Sequence, residues 1–494
     1  MRILRRALPL RYGSNQTNGL KGPSGPRPFP VETLAAVRML AGITMSLLVL
    51  FGGPSSFAHA SSVPELLVDI IASHNLALRQ QSLEDETYRG EEGILRIGPE
   101  AGKKLGLKVS LAPEYLRAKT LIEDAEKHMK KAREAMATRS KEPRAGEYAA
   151  EIADEFLAYK DKTQEANELL RAYSAGLDPL TDERLDRQLC GDLLVQILQT
   201  SLKEAGHRLR DALGCFFNTC RGDRSKPCLT PENVRFVNTV FQEFLERSPG
   251  DVLEGFDLDR IDTARMSAAL PGWKEAAGSR AAPIIPLVEG SLKKLNPGET
   301  VPMDPLLFLA LIRQESQFDT KAISIVGAAG LTQIMPKTAT DMGMENVYHP
   351  DYFDRAFSLL QDERKARKEA LDALYAITPE NREGKALEAR GRMQASLGLR
   401  LERQRLFAKY RGELRKQPSD PRLHPEKAVE YGMRYFTGLL QDQKGDISLA
   451  LASYNAGPHR VLQYKGIPPF GETVRFRNRV LEFYREYLDR LPGS

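Results

Sequence analysis

Seven consecutive apolar residues run from Leu306 to Ile312, followed by Arg313, Gln314 and Glu315. A helix that is apolar on every side is buried on every side. Asp304 and Pro305 start it well, an acidic N-cap followed by proline where its missing N–H costs nothing. A loop of small residues follows from Ile323 to Gly330, and a second helix start lies over Leu331–Pro336. Near the end, Asp446 caps a helix running from Ile447 to Asn455, which Gly457 and Pro458 stop. Two long stretches, Leu116–Thr138 and Glu147–Ala175, place apolar positions at helical spacing among many charges and are expected to pair as a hairpin. The chain therefore reads as mostly α.

The segment 355–418 reads as two further helices, with Thr378-Pro379 restarting the second. That second helix carries Gly384, Gly391, Gly398 and Gly412 in one heptad register. Each interior glycine costs about 1 kcal/mol. The register therefore predicts close approach of the preceding helix through Ala366, Ala370 and Ala373. A charged, partly disordered excursion is the alternative.

Charge changes the picture less than it first suggests. The net charge is +5, but residues 1–60 hold seven basic residues and one acid, which leaves −1 for the remainder. Nucleic-acid binding has no basis in that balance. The first sixty residues read instead as a signal peptide: basic residues, a short apolar run Met39–Phe51, then Ala58-His59-Ala60 before Ser61. An uncleaved anchor is the alternative. The expectation is export to the periplasm or cell envelope. Cys190, Cys215, Cys220 and Cys228 would then sit in an oxidising compartment and form two disulfides, in one of three connectivities. Their spacings do not suit a zinc site. Segment 355–418 carries 16 basic and 9 acidic residues, so a net +7 stands out against the remainder.

Glu315 is the candidate for chemistry. It follows Phe308, Leu311 and Ile312 along one helix face and lies at the helix C-terminus. Apolar surroundings and the macrodipole both disfavour the carboxylate, which is the environment of a general acid at neutral pH. A glutamate turned to solvent at a helix end is the plainer reading of that residue alone.

Four blocks then occur in order: Glu315-Ser316; Ser324 through Gly327, Gly330 and Gln333 to Met335-Pro336; Ala450 through Tyr454 and Asn455 to Gly457-Pro458; and Pro469 to Glu472-Thr473. Together they resemble the catalytic domain of soluble lytic transglycosylases (glycoside hydrolase family 23). The resemblance covers about 283–494 and implies a mostly helical, lysozyme-like domain with a long glycan cleft. It implies that Glu315 protonates the glycosidic oxygen between N-acetylmuramic acid and N-acetylglucosamine. The same residue then takes the proton of the muramoyl C6 hydroxyl, closing a 1,6-anhydro ring. The attacking oxygen belongs to the substrate, so one carboxylate suffices, unlike two-carboxylate schemes. Ser316, Ser324, Gln333, Met335, Tyr454, Asn455 and Glu472 are the implied substrate-binding residues. Thr332 departs from the methionine usual in the second block, and Phe476 from a tyrosine that often follows the fourth.

The expected organisation is a signal peptide at 1–60, a helical region at 61–280 stapled by disulfides, and the transglycosylase domain at 283–494 with its insertion at 355–418. No metal or cofactor is expected. The expected partner is peptidoglycan glycan; a wall or secretion-machinery partner for 61–280 stays open. A goose-type lysozyme-like hydrolase would need a second carboxylate, for which Asp319, Asp341 and Glu345 are candidates. A non-catalytic wall-binding scaffold is the third reading.

Overall fold

The computed structural model describes residues 63–138, 145–217, 229–261, 272–295 and 302–492. The expected leader at 1–60, with its cleavage site before Ser61, lies outside them. The described chain is mostly helical, with isolated β-bridges in place of a sheet. In order the helices are α1 (Glu65–Glu84), α2 (Pro99–Lys104), α3 (Pro113–Ala137), α4 (Ala145–Ala175), α5 (Arg187–Glu204), α6 (Leu209–Phe217), α7 (Val234–Arg247) and α8 (Gly250–Leu253). There follow α9 (Trp273–Ala276), α10 (Ile285–Leu292), α11 (Pro305–Ser316), α12 (Pro336–Asp341), α13 (Asp351–Tyr375), α14 (Arg382–Leu414), α15 (Pro425–Asp442), α16 (Ile447–Ala456), α17 (Pro458–Gln463) and α18 (Gly471–Leu488). Among these described residues no helix is long and apolar enough to cross a membrane.

Helix α11 forms as its residues dictate. The Asp304 carboxylate accepts from the backbone N–H of Leu306 at 2.7 Å and of Leu307 at 3.3 Å. Leu306 to Ile312 are fully buried. The helix is the centre of an apolar cluster with α10, α15, α16 and α18. Arg313 fixes it to α18 through a 2.8 Å ion pair with Glu486, its guanidinium stacked over Phe483.

Two long hairpins project from this frame, α3 with α4 and α13 with α14. They pack on each other through Met129, Ala132, Phe156, Ala370, Ala386 and Met393. Arg390 donates to the Ala135 carbonyl at 2.6 Å across that contact. The insertion is thus helical and docked, but its glycines do not make the contact. A Cβ added at Gly384, Gly391, Gly398 or Gly412 would meet open space. Alanines, not the glycine register, fill the contact: Ala370, Ala373, Ala386 and Ala389 are buried where the two hairpins meet, and Ser396 Oγ donates to the Glu363 carbonyl at 3.0 Å between α13 and α14.

The disulfide expectation also changes. Cys190 is a free, buried thiol that donates to the Glu183 and Arg184 carbonyls at the start of α5. Four cysteines with one unpaired cannot form two disulfides. Cys220 and Cys228 lie outside the described residues.

The N-terminal helices meet the C-terminal ones through buried charge. Arg477, fully buried on α18, pairs with Asp211 of α6 at 2.7 Å and with Asp259 at 2.6 Å. Arg485 reaches Asp211 at 2.9 Å, and Arg210 reaches Asp446 at 2.5 Å. Burial opposes the charged form of Asp211, but Arg477, Arg485 and Arg208 outweigh it and hold its carboxyl below the usual range.

Candidate active site

Glu315 sits one residue before the end of α11, half-buried. The helix stops there because Gln317 and Phe318 both adopt left-handed backbone, with φ of 53° and 66°. Ser316 turns back into the helix, its Oγ donating to the Ile312 carbonyl at 3.2 Å.

The loop that follows is locked from inside. Ser324 Oγ accepts from the Ala328 N–H at 2.9 Å, while the Ser324 N–H donates to the Ala328 carbonyl at 2.8 Å. Gln333 has φ 47°, and its Nε2 donates to the carbonyls of Ala322 at 3.0 Å and Gly330 at 2.8 Å. That amide nitrogen is therefore spent on holding the loop. Met335 is buried in the cluster beneath the loop with Phe353, Phe407 and Tyr410.

Arg422 clamps this loop from below. It is 1% exposed, and its Nε and Nη2 donate to Asp420 at 3.0 and 2.7 Å. Nη1 donates to the Gly327 carbonyl at 3.2 Å, and Nη2 also donates to the Tyr410 hydroxyl at 2.8 Å. Two glycines make room for the clamp. At Gly330, with φ 76°, a Cβ would overlap the Arg422 carbonyl oxygen. At Gly327, with φ 91°, it would lie 2.6 Å from the Phe353 ring. Asp420, Arg422 and Tyr410 were not read from sequence as part of the site. The signal was present in the Asp420-Pro421-Arg422 turn, where Asp420 accepts from the Arg422 N–H.

The last two blocks close the other side. Asp446 caps α16 by accepting from the Leu449 N–H at 2.9 Å. Tyr454, 4% exposed, donates from its hydroxyl to the Thr332 carbonyl at 2.7 Å. Its ring packs on Tyr435 at 5.3 Å and lies parallel to Phe476 at 6.4 Å. Tyr435 is a second aromatic that sequence reading passed over; it lies on the amphipathic helix α15. Thr332 itself donates to the Ala428 carbonyl at 2.9 Å and fits only because Gly432 has no side chain. Asn455 Oδ1 accepts from Thr473 Oγ1 at 2.9 Å, tying the end of α16 to the first turn of α18, where Glu472 lies.

Residues 297–357 and 402–473 match the Transglycosylase SLT domain. The match takes in Glu315, the Gln333 loop, Tyr454, Asn455 and Glu472. Its gap, residues 358–401, falls within the α13–α14 hairpin, whose two ends belong to the match. Two solved structures are similar at 17% identity. One is an inactive mutant of the lytic transglycosylase Slt from Pseudomonas aeruginosa, with 84% of this chain and 50% of that one covered and a TM-score of 0.24. The other is the 70 kDa soluble lytic transglycosylase from Escherichia coli, with 85% and 67% covered and a TM-score of 0.27. The chain spans half the length of the first.

Three carboxylates are the candidates that hydrolysis would call on. Asp319, Asp341 and Glu345 are exposed; Asp319 accepts from the Lys321 N–H and Asp341 pairs with Lys337 at 3.2 Å. Among the described residues no cluster of His, Cys, Asp and Glu is arranged to hold a metal.

Proposed function

We propose that the chain is a peptidoglycan lytic transglycosylase with Glu315 as its acid and base. The reading rests on one observation above the others. The SLT match takes in Glu315, and the three later blocks are tied to one another by the Tyr454–Thr332 and Thr473–Asn455 hydrogen bonds. Glu315 first protonates the glycosidic oxygen between N-acetylmuramic acid and N-acetylglucosamine. It then accepts the proton of the muramoyl C6 hydroxyl as that oxygen attacks C1, which expels no water and consumes none. The rigid Gln333 loop and the Tyr454–Asn455 turn supply fixed walls, so reacting groups meet without reorganisation. Ser316, Ser324, Gln333, Met335 and Asn455 are spent largely on holding those walls, and Glu472 lies in the first turn of α18. The protein acts in the cell envelope, where such glycan is found.

Digestion of purified sacculi followed by mass spectrometry tests this. The expected products carry 1,6-anhydro ends, one water lighter than hydrolysis products. Glu315→Gln should lower the rate by at least about 10²–10⁴-fold. Hydrated ends, or near-normal rates for Glu315→Gln, would overturn the reading.

A further inference from the structure

The N-terminal half repeats the loop clamp of the SLT domain. Arg184, 1% exposed, donates through Nε and Nη2 to Asp182 at 2.9 and 2.7 Å, through Nη1 to the Gly90 carbonyl at 2.6 Å and through Nη2 to the Tyr173 hydroxyl at 2.6 Å. These are the bonds of Arg422 to Asp420, Gly327 and Tyr410, partner for partner. Nη1 of each also faces an isoleucine carbonyl, Ile97 at 3.0 Å and Ile334 at 3.5 Å. The tyrosines agree as well: Tyr173 donates to the Ser110 carbonyl at 3.0 Å and Tyr410 to the Tyr348 carbonyl at 2.9 Å.

The backbone repeats with the side chains. A Cβ at Gly93 would overlap the Arg184 carbonyl oxygen, as one at Gly330 would overlap that of Arg422. Arg96 has φ 49° where Gln333 has 47°, and the β-bridge Glu92–Ile97 repeats as Ala329–Ile334. The long hairpin α3–α4 corresponds to α13–α14, and α5 and α15 are both 18 residues long. All these pairs are separated by 237 or 238 positions in the sequence. Across the join, Asn238 Nδ2 donates to the Ile467 carbonyl and Asn478 Nδ2 to the Leu229 carbonyl, each at 2.8 Å, so each unit caps the other near the equivalent residues Leu229 and Ile467.

The chemistry does not repeat. At a separation of 240, three more than for Gly90 and Gly327, the stripe Leu67, Ile70, Ile71, Asn75 of α1 falls on Leu307, Ala310, Leu311, Glu315 of α11; the positions 237 and 238 before Glu315 hold Leu78 and Ala77, and none of these α1 residues is an acid. Asn75 is fully buried, with Nδ2 donating to the Ile94 carbonyl at 2.8 Å. An amide there neither donates nor accepts a proton at neutral pH, and no substrate reaches it. Phe216 stands where Tyr454 stands, so the hydroxyl that ties α16 to the loop has no counterpart.

We infer that residues 65–247 are a second copy of the SLT-type unit, catalytically silent, serving as the fixed packing partner of the active copy. The silence rests on the reading of Glu315 as the acid; the equivalence of the two clamps does not. Matched variants of the full-length chain separate the two. Arg184→Lys and Arg422→Lys remove the same bonds and should lower Tm by similar amounts, but only Arg422→Lys should lower kcat/KM on sacculi, by tenfold or more. Should either lysine variant fail to fold, Tyr173→Phe and Tyr410→Phe form the milder pair with the same expectation. Asn75→Ala should leave kcat/KM within twofold of wild type. Tm losses differing several-fold within a pair would overturn the equivalence, whether or not any glycan is cleaved. Equal loss of kcat/KM in both folded members, or cleavage by Glu315→Gln that Asn75→Ala abolishes, would overturn the silence. A wild-type chain that releases no glycan fragments would overturn the activity on which the silence rests, and the Tm comparison would still decide the duplication.

Discussion

The Tyr454 hydroxyl donates a 2.7 Å hydrogen bond to the backbone carbonyl of Thr332, joining two blocks that lie more than a hundred residues apart in the chain. That bond fixes α16 against the loop held by Gln333. Tyr454→Phe keeps the ring packing on Phe476 and leaves a buried carbonyl short of its donor, at about 1–3 kcal/mol. Muropeptide release should fall about 10–100-fold through misplacement of the loop, with Tm lowered by only a few degrees. Unchanged release would show that the tie has no part in catalysis.

Gly330→Ala should be far more damaging. It puts a Cβ on a φ of 76° and into the Arg422 carbonyl. Left-handed strain alone is about 1–3 kcal/mol, and the overlap adds to it. Chemical denaturation should show the loss, and activity should fall with it.

The insertion glycines should respond in the opposite sense. Gly391 and Gly398 lie inside a 33-residue helix with open space at their Cβ positions. Replacing either with alanine should stabilise by about 0.5–1 kcal/mol, because helical glycine carries an entropic penalty that nothing here requires. A fall in Tm would reveal a contact at these positions.

Asp211 should show a pH signature. Its carboxyl is held below the ordinary range, so its stabilising contribution is complete above about pH 4, the ordinary aspartate value, and fades as pH falls through the depressed value. Asp211→Asn leaves Arg477 and Arg485 short of a counter-charge, at about 3–5 kcal/mol at pH 7. The gap to wild type should narrow in denaturation curves taken progressively below pH 4. A gap independent of pH would place the loss in shape instead of charge.

Cys190 should be unreactive in the native protein, since burial first and the nearby acids second push its thiol up to about 11. With Cys190 unpaired, an odd number of cysteines remains. Denaturation without reductant should therefore release at least two titratable thiols per monomeric chain. No titratable thiol would restore the two-disulfide reading.

Legibility followed the range of the interaction. Helix α11 was readable because its cap, its proline and its apolar run are neighbours in sequence, and they suffice to bury it. The order of four short blocks was enough to point to the SLT domain and to Glu315. The glycine register misled because heptad spacing gives a face and does not say which face finds a partner; Ala386 and Ala389, each two residues from a glycine and so on the other side of the helix, took that role. The clamp escaped notice because Arg422 looks like any surface arginine until Asp420, Tyr410 and the Gly327 carbonyl surround it.

By itself the sequence determined helices α11 and α16 with their caps Asp304 and Asp446, since periodicity and capping act within a few residues. The tertiary structure alone decided that Cys190 stays a thiol, that Gln333 spends its amide on the loop, and that the N-terminal half carries the same clamp as the SLT domain. Buried polar groups must find partners wherever the fold brings them, and those partners lie up to hundreds of positions away.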